Sequence, residues 1–232
     1  MLKVLDEILL SENVKEKFDY YYQTPEFKNY INKVMPEIEN CKKTKQDNPW
    51  HIYGCLDHIL HSVEEMNKQT KNLDKNTQRM LAYTMFLHDI GKPECKLRRY
   101  SKLYKREIDS FFNHNKASVK IALRVLNKFN FNETEIKKIT NLIYNHDIFI
   151  NLTLKEDGNS YHKVLTPKFL KEEINKLNKD FNGKEMMKYL VMVGRADNNS
   201  QNPEMTKNSL HLLDVMEDML KNISIKNDEL QF

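Results

Sequence analysis

The clearest signal along the chain is a set of apolar residues that return at steps of three and four. Ile136, Ile139, Leu142 and Ile143, with His146 one step further, lie on one face of a single helix. Asn132 and Glu135 ahead of them have the spacing of a capping box, with Asn in place of Ser or Thr. Ile121, Ala122, Val125, Leu126 and Phe129 form a second stripe, preceded by His114. Met80, Thr84, Leu87 and His88 form a third, which Gly91 and Pro93 terminate. Met186, Leu190 and Val193 step on to Asp197, and Leu210, Leu213, Met216, Met219 and Leu220 suit a final helix. No segment alternates convincingly at period two. The pattern predicts an all-α fold, and only five Gly and six Pro in 232 residues are too few turn formers for a many-stranded sheet.

Composition adds limits. The chain is 40% hydrophobic and 30% charged, enough for a sizeable core. Its net charge of +4, from 37 basic and 33 acidic residues, permits a phosphate-bearing partner without demanding nucleic acid. No apolar run approaches the roughly 18 residues of a membrane span, so no membrane partner is expected. The start, MLKVLDEILL, carries Asp6 and Glu7 and does not look like a secretory signal. Cys41, Cys55 and Cys95 are odd in number and form no Cys-x-x-Cys, which argues against a disulfide framework or thiolate zinc site. The expected location is therefore the reducing cytoplasm. Oligomeric state leaves no mark in the sequence. KKTKQDNP (Lys42 to Pro49) is the nearest thing to a linker, and Asn151 to Lys163 reads as a surface loop around Gly158. The aromatic run Asp19 to Phe27 is expected to pack N-terminal helices on the core.

The chemistry resides in polar residues at or beside buried helix faces: His58, the adjacent His88–Asp89, His114, His146 and Asp197. A buried imidazole or carboxylate is costly unless bonded or bound to metal. One such residue is usually a satisfied core group, but six over five segments call for a common ligand. Neighbouring helix residues point about 100° apart, so His88 and Asp89 can turn inward together only where Gly91 and Pro93 end the helix. Mixed nitrogen and oxygen ligands suit Mn, Fe, Zn, Co or Ni, with Mg admissible. His51 precedes His58 by seven residues, two helical turns, so both could share a face.

At this point FLHDIGKP (Phe86 to Pro93) resembles the signature of the HD superfamily of metal-dependent phosphohydrolases. PWHIYGCLDHIL (Pro49 to Leu60), FFNHNKASVKIA (Phe111 to Ala122), LIYNHD (Leu142 to Asp147) and GRADNNSQNP (Gly194 to Pro203) follow in the family's order. The variant is most similar to the HD domain of bacterial tRNA nucleotidyltransferases of the CCA-adding and poly(A) polymerase type. No Gly-Ser with a paired-Asp motif is present, so the resemblance is to a free-standing HD module. Ile59 stands where that segment often has Thr or Ser. The implied organisation is an HD helical bundle over 48–203, an N-terminal helical extension over 1–47, and a C-terminal helix over 204–232 packing on the core.

The resemblance implies metal ligation by His58, His88, Asp89 and Asp197. It implies that His114 and His146 either complete a second metal site, with Asp89 bridging, or face the phosphate. Asp89, His114, His146 and Lys92 are then the catalytic candidates, with His51, Lys92 and Arg195 on the substrate. The implied activity is hydrolysis of a phosphomonoester or (cyclic) phosphodiester of a nucleotide or related small molecule, with one or two divalent ions. A binding module for nucleotide or RNA without turnover, an accessory working in trans with a nucleotidyltransferase, and a di-iron oxygenase are the rival classes. The basic stretch KLRRYSKLYKRE (Lys96 to Glu107) reads either as a solvated segment or as an electropositive rim that steers a phosphorylated substrate, such as an RNA end.

Overall fold

The computed structural model describes residues 1–223. The part of the expected C-terminal helix segment at 224–232 lies outside the described residues. Four short helices lead: α1 (Leu2–Leu9), α2 (Val14–Tyr22), α3 (Pro25–Val34) and α4 (Glu37–Lys43). They bury Leu5, Ile8, Phe18, Phe27, Ile31 and Ile38 in one hydrophobic cluster with the later helices. Phe18 and Phe27 meet edge to face, and Phe18 also leans on Phe86. The aromatic run is thus packing material, although Tyr20 stays exposed.

The centre of the molecule is α5 (Cys55–Thr70) against α6 (Lys75–Leu87). Asp74 caps α6 through the backbone N–H groups of Asn76 and Thr77. Every residue from Met80 to Leu87 is buried, so this part of the helix is core on all sides. After the single turn α7 (Lys92–Cys95) the chain makes the antiparallel hairpin β1 (Leu97–Ser101) and β2 (Arg106–Ser110). It then continues into α8 (His114–Lys128) and α9 (Glu133–Asn145), the latter opened by the expected Asn132–Glu135 capping box. A two-residue parallel ladder, β3 (Leu152–Thr153) with β4 (Lys163–Val164), closes the Asn151–Lys163 loop. Helices α10 (Pro167–Leu177), α11 (Gly183–Asn199) and α12 (Pro203–Asn222) complete the bundle.

The fold is predominantly α-helical. The two small ladders are additions to the expected elements. LRRYS has no apolar alternation because β1 is exposed along nearly all its length, only Ile108 and Asp109 of β2 being buried; cross-strand charge pairs such as Arg98 with Asp109, 3.2 Å apart, join the strands.

The Lys42–Pro49 stretch corrects a second expectation. It is not a linker: Gln46 and Asn48 are buried, and they bond to Lys92 and His51 in the interior. Polar residues can line an interior when each has an interior partner, which composition alone cannot show.

Gly91 sets the approach of α8. A Cβ there would sit 2.5 Å from the Ser118 nitrogen and 2.6 Å from the Ala117 Cβ, so only glycine lets the helix come this close. The Gly91 N–H donates to Ser118 Oγ at 2.9 Å, which fixes the start of α8 beside the end of α6.

Candidate metal centre

His88 is the C-cap of α6 and His146 the C-cap of α9, both with helical φ and ψ. His114 is the first residue of α8, entered through Asn113 in the left-handed conformation that Asn tolerates better than most residues. His58 lies in the first turns of α5, and Asp197 in the last turn of α11. Five segments distant in sequence thus end at one buried point. His58, His88 and Asp89 are fully buried or nearly so, as are His146 and Asp197, whereas His114 is half-buried.

Four imidazoles share one arrangement. The Nδ1 of His88 lies 2.7 Å from the Met85 carbonyl, that of His114 2.7 Å from Phe111, and that of His146 2.6 Å from Ile143. His58 Nδ1 is 3.2 Å from the Ser200 carbonyl, with the Ser200 hydroxyl 3.1 Å away and itself 2.6 Å from Ser62 Oγ. Carbonyls only accept, so each Nδ1 carries its proton and donates, which leaves each Nε2 turned inward.

Those Nε2 atoms converge on the carboxylates. His58 Nε2 is 3.1 Å from Asp89 Oδ2 and 3.0 Å from Asp197 Oδ1; His88 Nε2 is 3.2 and 3.5 Å from the same two atoms. His114 Nε2 is 3.1 Å from Asp89 Oδ1, and His146 Nε2 3.8 Å from it. The two oxygens of Asp89 therefore face different histidine pairs. Despite these distances, His58 Nε2, His88 Nε2 and both Asp89 oxygens have no aligned hydrogen-bond partner. Close but misaligned, these buried ring nitrogens and carboxylate oxygens aim at a common point rather than at one another. A ligand held there would satisfy them, and the atoms fall into two groups sharing Asp89: His58, His88, Asp89 and Asp197, then Asp89, His114 and His146. Within each group the ligand atoms, one from each residue, lie within 4.8 Å of one another. A nitrogen and carboxylate set of this kind fits a divalent ion, and it is compatible with an HD-type metal site.

Charge is concentrated here. Burial works to raise the Asp89 pKa, but the charges of His88 and Lys92 and the contacts of His114 and His58 outweigh it and hold the carboxyl well below its usual range. Asp197 is likewise held low against burial, by His58 and His88. Burial works to lower His88, yet Asp89 and Asp197 push it up to about 10. His58 and His114 are raised in the same sense, whereas burial, His114 and His88 keep His146 low.

Lys92 is buried, with Nζ 2.5 Å from Asp89 Oδ2, 2.9 Å from Gln46 Oε1 and 3.0 Å from His51 Nε2. His51 Nδ1 donates to Asn48 Oδ1 at 2.8 Å, so its Nε2 accepts from the ammonium. Burial and then the Lys92 charge push His51 down to about 2, which keeps it neutral. A surface cleft of about 260 Å³, lined by Gln46 and His51 among others, opens beside this group. A larger cleft of about 560 Å³ lies between the starts of α6, α9 and α11, and none of the clustered residues lines it. It is walled by capped helix ends, so size is a poor guide to the chemistry in this molecule.

Arg195 is not brought into the cluster. Its guanidinium bonds Asp214 at 2.6 Å and Glu217 at 3.0 Å on α12, because a residue two before Asp197 projects from nearly the opposite side of α11. Four participants are missing from the sequence-based set of candidates. Gln46 and Asn48 hold Lys92 and His51. Gln201 Nε2 donates to Asp197 Oδ2 at 3.0 Å. Asp147 lies 3.4 Å from His114 Nε2 and 3.6 Å from His146 Nε2. A signal for Asp147 exists: His146–Asp147 repeats the His88–Asp89 pairing at the end of another helix.

No protein-family model matches the chain, and a search of curated proteins finds no match.

Proposed function

We propose that the protein is an HD-type metal-dependent phosphohydrolase that cleaves a phosphomonoester or phosphodiester of a nucleotide or related substrate. The observation that carries this reading is the division of Asp89. One oxygen faces His58 and His88, the other faces His114 and His146, and Lys92 supplies a cation at the same carboxylate. His58, His88, Asp89 and Asp197 would hold one divalent ion, and Asp89, His114 and His146 a second. Bound there, an ion supplies a water acidic enough to act as a nucleophile near neutral pH, its pKa falling from about 15.7 toward ~7.

The chain's own residues account for the rest. Lys92 is a buried ammonium beside the cleft that holds His51, and it would neutralise a phosphoryl oxygen that the low-dielectric interior could not otherwise accept. His51, neutral and fixed by Asn48, keeps that ammonium aimed. His114 and His146 face each other through their Nε2 atoms; with only the first ion bound, a proton held between them would be placed to protonate the departing ester oxygen. In the net reaction water adds to phosphorus and one P–O ester bond breaks, which gives an alcohol and phosphate from a monoester, or an alcohol and a phosphomonoester from a diester. The buried ammonium favours an anionic substrate, which sets this reading above oxygen chemistry on the same ligands.

The test is chromatographic detection of hydrolysis products from a panel of nucleotide monoesters and linear and cyclic diesters, by protein reloaded in turn with Mn, Fe, Co, Ni, Zn and Mg. Turnover with at least one ion, lost in Asp89→Ala while helicity is kept, is the expected result. Unchanged turnover in that variant, or none with any ion, overturns the proposal.

A further inference from the structure

The β1–β2 hairpin begins five residues after Lys92 and ends four residues before His114. Both of its ends are therefore rooted in the metal centre. The Lys92 ammonium lies over the Phe111 ring at 5.4 Å, and the Phe111 carbonyl holds His114 Nδ1. Asn48, which fixes His51, also donates to the Asp109 carbonyl at 3.4 Å. Five-residue strands at ~3.3 Å per residue carry the hairpin about 17 Å from that root.

Its side chains divide into two sets. Lys96, Arg98 and Arg106 are tied to Asp47 or Asp109 and hold the arm in place. Arg99, Lys102 and Lys105 have no acidic partner among the described residues. Interleaved with them are apolar groups that folding leaves in water: Tyr100 at 63% exposure and Leu103 at 78%. At the root Arg99 lies over the ring of Phe112, itself exposed, at 4.9 Å, and Trp50 meets Tyr104 edge to face. Three cations without an acidic partner, two of them at the hairpin tip, thus stand near the exposed rings of Tyr100 and Phe112, a set of groups that can meet the phosphates of a single strand and stack with its bases.

We propose that this hairpin is an arm for single-stranded polynucleotide, which lays a strand beside the Asp89 centre. Strand binding stands independently of the hydrolase reading; only the fate of the bound strand rests on it, and there the substrate class becomes a phosphate ester at or near the end of a polynucleotide rather than a free nucleotide.

The test uses the full chain loaded with Mn, fluorescently labelled single-stranded 12-mers of RNA and of DNA, and the triple variant Arg99→Gln, Lys102→Gln, Lys105→Gln. Binding by anisotropy should weaken about tenfold or more in the variant, and the slope of log affinity against log salt should flatten by about 2, the loss expected for three phosphate contacts at ~0.7 each. Tyr100→Ala should weaken binding by about tenfold with little change in that slope. Hydrolysis of p-nitrophenyl phosphate, which is too small to reach the arm, should be unchanged in both variants. Equal binding by wild type and triple variant, or no strand binding at all, overturns the arm whether or not the small ester is hydrolysed. So does attachment to phosphatidylserine–phosphatidylcholine vesicles without strand binding, which would make the exposed Leu103 a lipid contact. Strand binding lost in the variant, with no ester hydrolysed by the wild type under any ion, upholds the arm and removes the hydrolase reading alone.

Discussion

The Nε2 atoms of His114 and His146 lie 3.0 Å apart, although the Nδ1 of each is already committed to a carbonyl three residues back. Two neutral rings so arranged would oppose lone pair to lone pair. Something positive must lie between them, a proton or a cation.

Removing one of the two therefore discriminates between one ion and two. His146→Ala should lower the metal content of saturated protein by one ion per chain while His58, His88 and Asp197 keep the other. Elemental analysis after desalting measures it. Unchanged stoichiometry would mean that the His114–His146 pair holds only a proton.

Ser200 offers a gentler test, since it touches His58 and not the ligand point. Its hydroxyl and carbonyl both approach His58 Nδ1, and Ser62 fixes the hydroxyl. Ser200→Ala keeps the carbonyl, so ligation should persist with affinity weakened by about 10-fold, the low end of the ~10–100-fold range for such partners. Competition against a fluorescent chelator reads this directly.

Acidity should oppose metal uptake. In the ion-free protein the carboxylates push His88 up to about 10, so it carries a proton at neutral pH that a metal must displace. Each proton released makes affinity rise about tenfold per pH unit, and the rise should continue through roughly pH 7 to 9 and level only near 10. Calorimetry in buffers of different protonation enthalpy counts the protons. Affinity that levels near pH 6.5, the ordinary histidine value, would contradict the charge arrangement around Asp89.

Lys92→Met should separate substrate binding from metal binding. The variant keeps a side chain of similar length and removes the charge, so metal content should hold while turnover falls by about 10²-fold. If turnover is unaffected, the buried ammonium only compensates Asp89 and plays no part with the phosphate.

Gly91→Ala tests the packing behind the site. The added Cβ meets the Ser118 backbone at 2.5 Å, so α8 must retreat. A loss of about 1–3 kcal/mol in urea unfolding is expected, together with weaker retention of the ion at His114.

Much of this architecture is legible in the chain because helix periodicity reports directly on burial. The stripes ending at His88, His146 and Asp197 are apolar until the last step but for Thr84, and the structure gathers those three with His58, Asp89 and His114. What stays hidden depends on partners far apart in sequence. Gln46 looks like any loop glutamine until Lys92, 46 residues away, is seen to donate to it. Arg195 sits beside Asp197 in sequence but on another side of its helix, and adjacency misleads where angular position decides. The hairpin carries no apolar alternation because its strands are joined by charge and rooted at one end.

The tethering of each imidazole to a main-chain carbonyl has a practical result. Three of the four carbonyls belong to the turn just before the ring, so the receptacle is shaped by the helix ends themselves and does not await its guest. Unlike small zinc modules, which unravel when stripped, this molecule should survive chelation as a folded shell and accept a different ion afterwards. Its identity as a reagent would then be set by whichever metal the surroundings offer.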